Sequence, residues 1–110
     1  MGEDVLAQLA ETVRQRRTED AGQSYTRQLL DAGPERCARK FGEEAIETVI
    51  AGVSQDNIAL SKEAADLLYH LIVLLESRGV AWSDVTAELQ RRVGTSGLAE
   101  KAARKSDNQP

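Results

Sequence analysis

The sequence predicts an all-α protein, a bundle of about five helices. Three observations lead there. Alanine, leucine, glutamate and arginine dominate the chain and only 2 prolines interrupt it, a composition that favours helix. Apolar residues recur at spacings of three and four, the period of an amphipathic helix. No stretch alternates apolar and polar residues as a strand would, and no internal repeat is present.

The first helix is expected over residues 4–17, where Leu6, Leu9, Ala10 and Val13 share a face. Residues 18–23 are polar, contain Gly22, and read as a loop. Ser24 is placed to cap a short helix carrying Tyr25, Leu29 and Leu30 that ends near Gly33. Pro34 then opens a long helix to about Val53, since a proline in the first turn loses no hydrogen bond. Residues 54–57 separate it from the next helix, expected over 58–78 and stopped by Gly79. Ser83 is the expected cap of a further helix whose apolar face holds Val85 and Leu89 and which ends at Gly94. A glycine- and hydroxyl-bearing turn and a short basic helix follow. Residues 1–105 are expected to form one domain, with 106–110 a disordered tail.

Composition narrows the function. At 110 residues with 41 % apolar residues the chain can build one modest core, and small helical chains often complete theirs by oligomerising. A net charge of −4 with interspersed signs argues against nucleic acid as a partner. The single cysteine, Cys37, excludes an internal disulfide and sits at a helical apolar position, so inert packing is expected. The first twenty residues carry Glu3, Asp4, Glu11 and a basic run, unlike a leader peptide. The longest strongly apolar stretch, 71–75, is too short to span a bilayer. A soluble cytoplasmic protein is expected.

The chemistry lies on the two long helices. At about 100° per residue, Ala45, Ile46, Val49, Ile50 and Val53 fall in one sector of the 34–53 helix. Lys40, Glu43, Glu44 and Glu47 fall in the adjoining one. Glu44 and Glu47 are three apart, so their carboxylates can converge on one ion. On the next helix only Asp66, Tyr69 and His70 are polar between Ala64 and Leu75, yet Glu63 and Asp66 share a face. Carboxylates set side by side against an apolar surface are costly unless a cation joins them. Ligation by oxygen alone suits a hard divalent ion, Mg2+ or Mn2+. A solvated acidic face is the plain alternative for either pair taken singly. His70, one turn beyond Asp66, can orient that carboxylate or a substrate, or simply pack in the core. A di-iron bundle would need Glu-x-x-His pairs, which are missing here.

The run KFGEEAIETVIA, then EAADLLYHLIVLL, then GTSGLAEKAARK resembles the bacterial phosphoribosyl-ATP pyrophosphohydrolase family of histidine biosynthesis. The carboxylate pairs alone are similar to the wider all-α, MazG-type nucleotide pyrophosphohydrolases, and the last run narrows the resemblance. It extends over about residues 6–105; Phe41 departs from it where a smaller aliphatic residue is expected. The resemblance implies Mg2+-dependent hydrolysis of phosphoribosyl-ATP to phosphoribosyl-AMP and pyrophosphate. It places the metal ligands at Glu44, Glu47, Glu63 and Asp66, with Glu43 beside them. Glu43 or Glu47 would take a proton from the attacking water. Lys40, Lys101, Arg104 and Lys105 would pair with phosphates, and Thr95, Ser96 and Gly97 lie in a turn whose N–H groups can do the same. The long helices expose more apolar surface than one chain covers, so a homodimer or homotetramer with a four-helix core is expected. Two alternatives are a housecleaning hydrolase of deoxynucleoside triphosphates and a non-catalytic helical assembly protein.

Overall fold

The computed structural model describes residues 4–93, together with 101 and 104, and every element in it is helical. Helix α1 (Val5–Gln15) is followed by a 3-10 turn (Arg16–Thr18), then α2 (Tyr25–Ala32), α3 (Pro34–Ser54), α4 (Asn57–Ser77) and α5 (Trp82–Val93).

Local chemistry sets most of these boundaries. Asp4 precedes α1 and its carboxylate accepts the Leu6 N–H at 2.9 Å. Ser24 Oγ accepts the Arg27 N–H at 3.1 Å, the expected cap of α2. Gly33 joins α2 to α3 at φ 98°, a conformation that disfavours any side chain, and Pro34 opens α3 as expected. Asp56 caps α4 by accepting the Ala59 N–H at 2.8 Å. At the far end of α4 the Gly79 N–H donates to Glu76 O and the Val80 N–H to Leu75 O, with Gly79 at φ 72°. That pair of bonds is a Schellman closure, and it needs a residue that tolerates positive φ.

Helices α3 and α4, 21 residues each, form an antiparallel hairpin across Gln55 and Asp56. Packing against α4 come α1 and α2, so Val13, Leu29, Cys37, Ile72 and Val73 make one core drawn from four helices. Burying each large aliphatic side chain here is worth about 1.5–3 kcal/mol. Arg17 extends this packing by pairing with the Glu76 carboxylate and its backbone carbonyl. Cys37 is buried, its thiol donates to Leu29 O at 3.2 Å, and burial pushes its pKa up, all of which keep it unreactive.

One expectation changes. Ser83 is not the cap of α5, because the helix begins at Trp82 and leaves Ser83 inside the first turn. Trp82 packs against the core, and that tertiary contact draws it into the helix ahead of the hydroxyl. Along 64–75 a single chain leaves part of the apolar surface uncovered, as expected of helices with more apolar surface than one chain covers. Only His70, Ile72 and Val73 are fully buried there, and the leucines around them are half-buried. No helix among the described residues is long and apolar enough to cross a membrane.

Candidate metal centre

The α3–α4 hairpin brings the two acidic pairs face to face. Thr48 sets the register: its hydroxyl lies 2.8 Å from Glu44 O on its own helix and 3.2 Å from Glu63 O on the other. With the helices antiparallel and Thr48 level with Glu63, Glu44 falls level with Leu67, beside Asp66. One carboxylate oxygen each from Glu44, Glu63 and Asp66 lie within 4.8 Å of one another. Glu47 stands beside Glu63 and adds a fourth carboxylate.

Electrostatics make this arrangement unfavourable without a cation. Partial burial, and then the charges of Glu47, Asp66 and Glu44, push the Glu63 carboxyl above its ordinary range. Glu44 Oε1 and Glu63 Oε1 are buried without a hydrogen-bond partner among the described residues. Oxygens removed from water and left unpaired, with like charges converging on them, match what a hard divalent cation requires. The donor set therefore fits a metal ion.

A consequence for stability follows. A carboxyl whose pKa is raised by folding stabilises the chain below the unfolded value, and that contribution is lost as pH rises through the raised one. Above that raised value, ionised Glu63 in the metal-free protein opposes folding. Glu63→Gln is expected to melt at a higher temperature than wild type in EDTA, with the gap closing or reversing in millimolar Mg2+. Differential scanning fluorimetry checks this; a lower melting temperature for the variant in EDTA would contradict it.

The other expected site residues fall into three groups. Lys40 and Glu43 pair with each other at 3.0 Å, which raises the pKa of the lysine and holds that of the glutamate below its usual range. His70 is buried, and its Nδ1–H donates to the Asp66 carbonyl at 2.9 Å rather than to the carboxylate. A carbonyl only accepts, so Nδ1 carries a proton, and Nε2 is buried without a partner among the described residues. Lys101 and Arg104 are helical and exposed, with no contact to the carboxylates among the described residues. Thr95, Ser96, Gly97 and Lys105 lie outside the described residues.

Two residues at the site escape a reading by sequence period. Thr48 ties the helices together at the level of the carboxylates, a contact between elements that no spacing along one helix reveals. Tyr25 meets His70 edge-on with ring centroids 6.3 Å apart, and Tyr69 meets the same ring at 4.9 Å. An aromatic residue directly after a capping serine was the available signal. None of these carboxylates lines either of two sizeable clefts at α5. These clefts, of about 330 and 410 Å3, lie along α5 and involve Trp82 and Leu89. The carboxylates occupy an open face of the hairpin.

A helical hairpin on which carboxylates of Glu44, Glu63 and Asp66 converge places the chain among all-α bundles with an acidic cluster between two long helices. The family model described as phosphoribosyl-ATP pyrophosphohydrolase matches residues 6–93, and the chain belongs to that family. It is 55 % identical over 100 residues to a phosphoribosyl-ATP pyrophosphatase of Cereibacter sphaeroides, covering 91 % of this chain and 97 % of the relative. A protein of the same name from Rhodobacter capsulatus is 56 % identical over 99 residues, covering 90 % and 96 %. Phosphoribosyl-ATP pyrophosphatase 1 of Rhodopseudomonas palustris is 52 % identical over 107 residues, covering 97 % and 100 %.

Proposed function

We propose that this chain hydrolyses phosphoribosyl-ATP to phosphoribosyl-AMP and pyrophosphate, an early step of L-histidine biosynthesis in the cytoplasm. The observation that carries the reading is the convergence of Glu44, Glu63 and Asp66 in a member of this family. Glu44, Glu47, Glu63 and Asp66 hold Mg2+, with Mn2+ able to take its place. When bound, the cation neutralises phosphate charge and favours departure of pyrophosphate.

The chain's own groups supply the rest. Glu43 or Glu47 takes the proton of the attacking water. Lys40, Lys101, Arg104 and Lys105 pair with phosphate oxygens, and Thr95, Ser96 and Gly97 offer hydroxyl and N–H donors. His70 Nε2 accepts a hydrogen bond from a substrate hydroxyl.

The working unit is a homodimer or homotetramer. Ile46, Val49 and Val53 on α3 are 64 %, 64 % and 82 % exposed, and Ile58 on α4 is 69 % exposed. A second copy covering that face supplies the missing half of a four-helix core and brings its own C-terminal segment near an otherwise open site.

Chromatographic assay of pyrophosphate released from phosphoribosyl-ATP, against a panel of deoxynucleoside triphosphates, tests the reading. Turnover should favour phosphoribosyl-ATP by orders of magnitude. Equal or better turnover of a deoxynucleoside triphosphate would overturn it.

A further inference from the structure

Phosphoribosyl-ATP differs from an ordinary nucleoside triphosphate by a second ribose that carries a phosphomonoester. That group takes no part in bond cleavage, so contacts to it can discriminate substrates without altering the chemistry. The four carboxylates offer it nothing, because they repel a phosphate. Cations and hydroxyls are needed, close to the cluster but beyond it.

Such groups meet at one edge of the cluster. At the start of α2, the capping Ser24 and Thr26 are 2 % and 7 % exposed, and each is fixed by a hydrogen bond, Ser24 to Arg27 and Thr26 to Tyr69. Tyr25 between them is 51 % exposed. Its ring is set against His70, which lies one turn beyond Asp66. A rigid backbone thus presents a phenol to solvent beside the metal site, and the core makes no use of it.

From the other side, α3 brings cations to the same edge. Lys40 stands one turn before Glu44, and the helix register places it level with Leu71, next to His70. Arg36 is four residues earlier on the same face. It is exposed and makes no ion pair among the described residues. Tyr25 reaches this edge through the His70 ring it is set against, Lys40 through the register that puts it level with Leu71, and Arg36 lies one turn further along the same face of α3.

We propose that Tyr25, Arg36 and Lys40 form a phosphomonoester subsite at the Lys40 end of the carboxylate cluster, holding the phosphate of the substrate's phosphoribosyl group. The proposal rests on the phosphoribosyl-ATP reading above. Arg36 matches a phosphate with a two-pronged donor set, Lys40 balances the second negative charge, and the Tyr25 hydroxyl donates a third hydrogen bond. Binding here sets the substrate's orientation, with the triphosphate directed along the hairpin towards Glu44 and Asp66.

The test compares phosphoribosyl-ATP with the analogue that lacks the phosphomonoester, using the full-length protein in Mg2+. Wild type should prefer the phosphorylated substrate by at least about tenfold in kcat/KM, mainly through KM. In Arg36→Gln and in Tyr25→Leu that preference should shrink to about twofold, while Arg36→Lys should keep more of it than Arg36→Gln. Both side chains are exposed, and circular dichroism with Mn2+ titration checks that fold and metal site survive. An undiminished preference in Arg36→Gln would overturn the subsite. Equal losses on both substrates would overturn it too, by assigning the arginine to the triphosphate. If wild type turned over neither substrate, the functional reading itself would fall and the subsite with it.

Discussion

Glu44→Gln, Glu47→Gln, Glu63→Gln and Asp66→Asn are each expected to lower turnover of phosphoribosyl-ATP by at least about 100-fold. Each change preserves shape and removes one negative charge from the acidic face on which oxygens of Glu44, Glu63 and Asp66 converge within 4.8 Å. The fold should survive, because the buried oxygens of Glu44 and Glu63 make no hydrogen bond among the described residues that could be lost. Loss of activity with unchanged helix content therefore separates a site residue from a structural one. Steady-state kinetics beside far-UV circular dichroism make the comparison. A Glu44→Gln, Asp66→Asn double variant with near-native turnover would show that the acidic face is ordinary solvated charge.

The second large effect concerns assembly. Val49 and Val53 lie one turn apart on the outer face of α3, and both are more than half exposed in a single copy. If a second copy covers them, each contributes about 1.5–3 kcal/mol on burial. Wild type is expected to sediment as a dimer or larger species at low micromolar concentration. Val49→Glu with Val53→Glu should shift it to monomer and lower its melting temperature by several degrees, since charges cannot be buried unpaired. Activity should fall with assembly if the C-terminal segment of one copy serves the site of the other. Mixing a Glu47→Gln protein with one truncated after Val93 should then restore part of the turnover. A wild-type chain that sediments as a folded, fully active monomer would contradict this account.

What was legible in the sequence was what local chemistry decides. Ser24, Pro34 and Gly79 mark helix ends because capping, a missing N–H and positive φ are properties of one or two residues. The acidic pairs were legible because three-residue spacing fixes a shared face whatever the rest of the chain does. Ser83 misled because the start of α5 follows from where the Trp82 ring packs, which is a tertiary matter. Thr48 and Tyr25 were hidden for the same reason. Each gains its significance from another helix, Thr48 from the Glu63 carbonyl and Tyr25 from the His70 ring. The apolar sector of α3 was visible as a pattern, but spacing alone does not say whether the chain or a second copy covers it. In the structure Val53, at 82 % exposure, is left uncovered by its own chain.

The claim on which the rest depends is that these carboxylates hold a divalent cation, and direct titration with Mn2+, followed by its electron paramagnetic resonance signal, tests it most simply. Wild type should take up Mn2+, with Mg2+ competing for the same site. The Glu44→Gln, Asp66→Asn variant should bind at least about 100-fold more weakly while remaining folded. Equal Mn2+ affinity in the two proteins would contradict the account.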